Sequence, residues 1–298
     1  MKILPGIASN ELARDLASLL SLPLVEVETK TFYDGETYLR ILEDLKGEEI
    51  IIVQTASSPQ DKNFLNLLFL ASTAKDLGAK KVLAVVPYLC YARADRRKLE
   101  GEVLSHQISL SLMSSAGIDE LITVRVHNPE AYFASVPALT KHNINPFEYF
   151  GASLEDNGML SDNLFIVGPD QGAEDDVKLL ASSLNVAYGC LDKQRDAHTH
   201  KIVMQDTGFD CKDKDVILID DVVTSGGTAT LAGETILQKS PRSLAFLCVH
   251  ALSKPEDIVK MQKNVFSTVI SSNTVPRGDI RQIDVAPIIA RYIKEKVV

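Results

Sequence analysis

The chain has no long hydrophobic run, few cysteines and no excess of positive charge, and each shortage closes off a class of function. Its most apolar stretch, Val82–Ala92 (VLAVVPYLCYA), is eleven residues long and contains Pro87, whereas a spanning helix needs about 20 apolar residues. No membrane span is expected. The N-terminal MKILPGIASNEL reaches Asn10 and Glu11 too soon for the apolar core of a secretion signal, and reads as the first strand of the fold. Cys90, Cys190, Cys211 and Cys248 are scattered without a CxxC pair. That indicates neither a zinc site nor a disulfide framework, and makes the cytoplasm the expected compartment. With 31 Lys and Arg against 40 Asp and Glu, the net charge of −9 argues against nucleic acid as a partner.

What is present is the composition of a globular protein, 45% hydrophobic and 24% charged over 298 residues. That length accommodates two domains of about 150 residues each. Apolar, β-branched runs alternate with segments of helical period, the pattern of parallel strands buried under crossover helices. The runs predict strands at 50–54, 81–86, 121–126, 164–167, 216–219 and 243–249. Helices are predicted at 10–20, 63–77, 104–116, 173–184 and 229–239. The expected fold class is α/β.

A weak internal repeat points to two similar halves. Leu16-Ala17-Ser18-Leu19-Leu20 lies over Leu180-Ala181-Ser182-Ser183-Leu184, and Ile50–Val53 lies over Val216–Ile219 at nearly the same offset. The polar, Gly-bearing stretch 149–163 (YFGASLEDNGMLSDN) is a plausible linker. The boundary is therefore expected near 145–160, giving domains of 1–148 and 149–298, with 282–296 able to pack on either half.

The halves differ after their central strands. The second continues Asp220-Asp221-Val222-Val223-Thr224-Ser225-Gly226-Gly227-Thr228, where the first reads Gln54-Thr55-Ala56-Ser57-Ser58-Pro59. In open α/β sheets, ligands bind beyond the carboxyl ends of strands. Gly226 and Gly227 let the backbone approach a ligand closely, and amides at a helix N-terminus favour an anion. Thr224, Ser225 and Thr228 add hydroxyl donors. The loop is neither a Walker A loop nor GxGxxG. Asp220 and Asp221 would repel phosphate, so they are expected to accept hydrogen bonds from sugar hydroxyls or to act through Mg²⁺. Together these features suggest a sugar phosphate. A plain acidic capping turn is the bland alternative.

The string IDDVVTSGGTA resembles the phosphoribosyl-pyrophosphate-binding motif shared by type I phosphoribosyltransferases and phosphoribosyl pyrophosphate synthetases. The first half distinguishes the two. Phe32-Tyr33-Asp34-Gly35-Glu36 is similar to the F-x-D-G-E segment of the synthetases, and Pro87-Tyr88-Leu89-Cys90-Tyr91-Ala92-Arg93-Ala94-Asp95-Arg96-Arg97 to their PYxxYARQDR segment. Val126-His127-Asn128, Pro169-Asp170-Gln171-Gly172 and Lys193-Gln194-Arg195 follow in the family's order. The likeness runs from about Gly6 to Tyr292.

The ribose-phosphate pyrophosphokinase family that this resemblance names implies two tandem phosphoribosyltransferase-like (type I) domains, each a mostly parallel sheet flanked by helices. It implies transfer of diphosphate from MgATP to O1 of ribose 5-phosphate, in a homo-oligomer. Lys193 and Arg195 would be catalytic. Asp220, Asp221, Thr224, Ser225, Gly226, Gly227 and Thr228 would bind ribose 5-phosphate. Phe32, Asp34, Glu36, Arg93, Arg96 and His127 would bind ATP, and His127 and Asp170 would be linked to Mg²⁺. His198 and His200, without a third ligand nearby, are not read as a metal site. Ala94, Thr224, Gln171 and Arg125 depart from the usual family residues and bear on nucleotide affinity more than on the reaction. The alternatives are a phosphoribosyltransferase using the same loop and a catalytically silent regulatory paralogue.

Overall fold

The computed structural model describes residues 1–156, 158–195, 202–205 and 207–297; His198 and His200 lie outside them. The chain forms two compact units, Met1–Ile144 with the last segment from Val285, and Asn145–Asp284.

In the first unit, β1 (Lys2–Pro5), α1 (Asn10–Leu20), β2 (Val27–Thr31), β3 (Thr37–Ile41), β4 (Glu49–Val53), α2 (Gln60–Asp76), β5 (Lys81–Val86), α3 (Ser105–Ser115), β6 (Glu120–Val124), α4 (Pro129–Ala134) and β7 (Thr140–Ile144) follow in order. A parallel sheet runs β1-β4-β5-β6-β7, while β2 and β3 pair antiparallel on their own. Ile50, Ile51, Ile52 and Val53 of β4 are all buried, as expected of a strand covered on both faces.

The second unit contains α5 (Phe147–Asp156), β8 (Leu164–Gly168), α6 (Glu174–Leu184), β9 (Ala187–Cys190), β10 (Asp192–Arg195), β11 (Ile202–Gln205), β12 (Asp215–Val223), α7 (Gly227–Leu237), β13 (Ser243–Ala251), α8 (Pro255–Asn264), β14 (Thr268–Ser272) and β15 (Arg281–Ile283). Its parallel sheet runs β15-β14-β13-β12-β8-β9, with β10 and β11 a separate antiparallel pair. The last helix, α9 (Ala286–Lys296), packs on α1 in the first unit. No helix among the described residues is long and apolar enough to cross a membrane.

The order β1-β4-β5-β6-β7 recurs as β8-β12-β13-β14-β15. In each sheet the strand pair outside the main sheet, β2–β3 or β10–β11, lies between the first strand and the central one. The repeated pentapeptides close α1 and α6, and each helix ends on a left-handed residue, Ser21 (φ 54°) and Asn185 (φ 53°). Both caps donate their N–H groups to the preceding turn, at Ala17 and Ser18 in one case and Ala181 and Ser182 in the other, which satisfies carbonyls the helix leaves open.

Two strands end several residues from the sequence expectation for reasons the pairing shows. β12 continues past Ile219 through both acids to Val223, because pairing with β13 continues: Asp220 opposes Cys248, Val222 opposes His250 and Val223 opposes Ala251. β6 stops at Val124 rather than at residue 126, since Arg125 turns left-handed (φ 42°) and donates its N–H to Ile144.

The segment after β4 is filled by its own side chains. Gln54, Thr55, Ala56 and Ser57 are buried. Gln54 Oε1 accepts from Ala8 N (3.2 Å), its Nε2 donates to the Asn63 carbonyl (3.2 Å), and Asn63 Nδ2 donates to the Ser57 carbonyl (2.8 Å). The side chain fits only because residue 6 is glycine: a Cβ there would lie 2.0 Å from Gln54 Oε1 and 2.7 Å from Gln54 Cβ. Gly6→Ala should therefore destabilise the protein by about 1–3 kcal/mol, as overpacking does. In denaturant unfolding, adding Gln54→Ala should cancel much of that loss. Simple additivity of the two losses would contradict the clash.

Candidate active site

β8 opposes β12 only from Asp215 to Leu218. Beyond Leu218, β12 runs on against β13 alone and carries Asp220 and Asp221 to the carboxyl edge of the sheet, both half-buried. Asp220 Oδ1 accepts the N–H of Asp221 (2.9 Å). Burial pushes the Asp220 carboxyl well above the ordinary carboxylate range, and the Asp221 carboxyl and Asp170 push it further. Burial and the same two strand acids raise the Cys248 thiol opposite them. The site thus gathers three acids, Asp170, Asp220 and Asp221, at neighbouring strand ends, an arrangement suited to hydroxyl donors or a cation.

Asp170 follows β8 by one proline. Its Oδ1 accepts Gly172 N (2.9 Å) and caps the single 3₁₀ turn (Gln171–Ala173) that leads into α6. Electrostatics therefore link Asp170 with Asp220 across the ends of neighbouring strands.

After β12 the backbone turns at Gly226, which is left-handed (φ 76°), and α7 begins at the next residue. A side chain at 226 would be strained by that backbone and would also meet Met261 Sδ at 2.5 Å. The N-cap residue Gly226 has no side chain to cap α7, so the first-turn amides can serve an anion. Thr224, Ser225 and Gly227 are exposed, and Thr228 is half-buried.

A polar network that sequence reasoning missed braces this edge from behind. Leu252 N donates to the Val223 carbonyl (2.8 Å). His250 Nδ1 lies 2.8 Å from Thr274 Oγ1, and Ser272 Oγ donates to the Val249 carbonyl (2.7 Å). Arg277 donates to the carbonyls of Ala251 and Ser253 and pairs with Asp279 (2.6 Å). The available signal was positional: polar residues cluster after β13 and β14, at the edge where the same topological rule places ligands.

Lys193 and Arg195 lie in β10, where they pair with Met204 and Ile202 of β11. In the first unit, Phe32–Glu36 forms the turn between β2 and β3. Phe32 N donates to Glu36 O (2.8 Å), and Glu36 N to Asp34 Oδ1 (3.1 Å). Phe32, Asp34 and Glu36 are all exposed at this tip, and Lys30 Nζ sits 5.2 Å from the centre of the Phe32 ring.

Arg93 and Arg96, both exposed, lie on the segment after β5, and His127, also exposed, follows β6. The structure joins these two segments: Asn128 Nδ2 donates to the Asp95 carboxylate, while Asn128 Oδ1 caps α4 at Ala131 N (3.2 Å). His127 belongs to the first unit and Asp170 to the second.

Among the described residues, no group of three or more His, Cys, Asp or Glu is arranged to hold a metal. The acid donors nonetheless suit Mg²⁺, a hard cation that keeps several water or phosphate oxygens and seldom needs a cage built wholly of protein.

A family model for the N-terminal domain of ribose phosphate pyrophosphokinase matches residues 1–117, and one for the phosphoribosyl transferase domain matches residues 154–278. A ribose-phosphate pyrophosphokinase of Saccharolobus solfataricus is 34% identical, over 97% of this chain and 99% of that protein. One of Methanothermobacter thermautotrophicus is 33% identical, over 97% of this chain and 98% of its own length. The crystal structure of the phosphoribosylpyrophosphate synthetase from Mycobacterium smegmatis shares the fold, with a TM-score of 0.85 at 22% identity, covering 98% of this chain and 97% of that one. With near-complete coverage by these relatives and both domain types in tandem, the chain belongs to the ribose-phosphate pyrophosphokinase family.

Proposed function

We propose that this protein transfers the β,γ-diphosphoryl group of ATP to O1 of ribose 5-phosphate. O1 attacks the β-phosphorus, the bond from that phosphorus to the α-bridging oxygen breaks, AMP leaves and the O1 proton is lost. The product is phosphoribosyl pyrophosphate. The observation that carries this reading is the edge of β12, where a half-buried acid pair leads directly into an uncapped helix N-terminus turned by Gly226.

In this reading, the amides and hydroxyls of Thr224, Ser225, Gly226, Gly227 and Thr228 hold the 5-phosphate. Asp220 and Asp221 accept hydrogen bonds from the ribose hydroxyls and fix the direction of O1. Arg93, Arg96 and His127 bind the ATP phosphates, and Phe32, Asp34 and Glu36 receive the adenine. Lys193 and Arg195 neutralise charge that develops on the transferring group. Positioning and charge neutralisation carry such a transfer, so no covalent nucleophile is required. Asp170 and His127, together with phosphate oxygens of the nucleotide, would hold Mg²⁺, which supplies further neutralisation of the phosphates. We assign the enzyme to the cytoplasm, in keeping with its scattered cysteines, and as a homo-oligomer, as the family resemblance implies.

The deciding experiment omits any nucleobase. Incubated with ATP, Mg²⁺ and ribose 5-phosphate, the protein should release AMP in step with phosphoribosyl pyrophosphate. Absence of AMP, with turnover only when a base and phosphoribosyl pyrophosphate are supplied, would identify a phosphoribosyltransferase instead.

The raised Asp220 carboxyl makes a second prediction. A carboxyl whose folded-state pKa is raised destabilises the fold while it is ionised, and this penalty disappears as pH falls through that pKa towards the unfolded value. Asp220→Asn should therefore abolish most turnover yet raise the thermal midpoint at pH 8, by about 2–4 °C per kcal/mol of repulsion relieved. The gain should shrink on acidification. A midpoint lowered at pH 8 would contradict the electrostatic picture.

A further inference from the structure

His106, in the first turn of α3, is 2% exposed, and among the described residues neither of its ring nitrogens has a hydrogen-bond partner. A buried polar group left unsatisfied costs about 1–3 kcal/mol. The other buried side chains of α3 include Leu110 and Met113, so packing alone would be met by a leucine at 106.

The surroundings of the ring indicate what the imidazole is for. His106 N donates to the Ala94 carbonyl (3.3 Å), which fixes α3 to the segment that carries Arg93, Asp95 and Arg96. On another side, the Tyr132 ring of α4 stands 6.2 Å from the imidazole, and Tyr132 N donates to the Asn128 carbonyl (3.1 Å). Asn128 in turn donates to the Asp95 carboxylate. His106 is thus enclosed by a circuit running Ala94, Asp95, Asn128, Tyr132. Burial lowers its pKa; the Asp95 carboxylate opposes that shift, and the Lys141 ammonium on β7 reinforces it. A neutral imidazole has one N–H donor and one acceptor nitrogen, and Asp95 is the carboxylate within its influence.

We propose that His106 is a positioning residue for the nucleotide: its imidazole holds the Asp95 carboxylate through one buried water, so that the Arg93–Arg96 segment and the His127–Asn128 turn are set as one unit. The inference rests on the assignment of ATP phosphates to Arg93, Arg96 and His127. His106 touches no reacting atom and acts through Asp95 and Asn128.

The test compares steady-state kinetics of His106→Leu and His106→Gln with those of Arg96→Ala, using ATP, Mg²⁺ and ribose 5-phosphate. In His106→Leu, the KM for ATP should rise at least fivefold. Its kcat at saturating ATP and its KM for ribose 5-phosphate should stay within twofold of the parent. His106→Gln, which keeps a donor and an acceptor, should recover at least half of the loss and remains informative if the leucine variant does not fold. An unchanged KM for ATP in the folded variants overturns the inference, as does an equal rise for both substrates. Arg96→Ala separates the two levels: if it raises the KM for ATP and the His106 variants do not, only the role of His106 falls. If Arg96→Ala leaves that KM unmoved, the nucleotide assignment falls and the role of His106 with it.

Discussion

The second unit is organised around the overrun of β12 beyond its neighbour β8. Four residues of pairing with β8 anchor the strand, and continued pairing with β13 holds the acids and the following turn outside that anchor. Because Val216, Ile217, Leu218 and Ile219 of β12 are buried, the acids emerge at a place the core fixes. The left-handed Gly226 then turns the chain, and α7 starts at the next residue. The hydrogen bonds of His250, Thr274 and Arg277 keep the ends of β13 and β14 in line behind it.

The first unit has the same strand order and the opposite filling. Where β12 leads into an open turn, β4 leads into Gln54, whose amide bonds both to the turn before α1 and to the Asn63 carbonyl of α2. Gly6 leaves the room for it. A phosphate cannot share that volume with a buried glutamine. The first unit instead presents side chains from other segments: the aromatic and acidic turn at 32–36, the arginines after β5 and the histidine after β6. The same strand order therefore carries two different endings at its second strand, an open turn after β12 and a plugged one after β4.

Much of this was legible in the sequence because it depends on local pattern. β-Branched runs marked the strands, the near-identical pentapeptides marked α1 and α6, and the Thr/Ser/Gly loop after two acids marked the turn between β12 and α7. Other features were hidden because they depend on residues far apart in the chain. Asp220 and Asp221 read as the end of a strand, since acids are poor strand residues, and only the facing Cys248 and His250 show that β12 continues. Gly6 and Gln54 are separated by the whole first crossover, from the end of β1 to the end of β4. The bracing network joins residues after β13 to residues after β14, and the burial of His106 follows from packing against α4 that no helical period reveals.

The central claim is that the edge of β12 and the first turn of α7 together grip a pentose monophosphate. The most direct measurement is a crystal structure of the protein grown with ribose 5-phosphate. The account predicts the phosphate on the amides of 225–228, with ribose hydroxyls within hydrogen-bond distance of Asp220 and Asp221. A well-defined sugar phosphate bound elsewhere, with this turn unliganded, would contradict it.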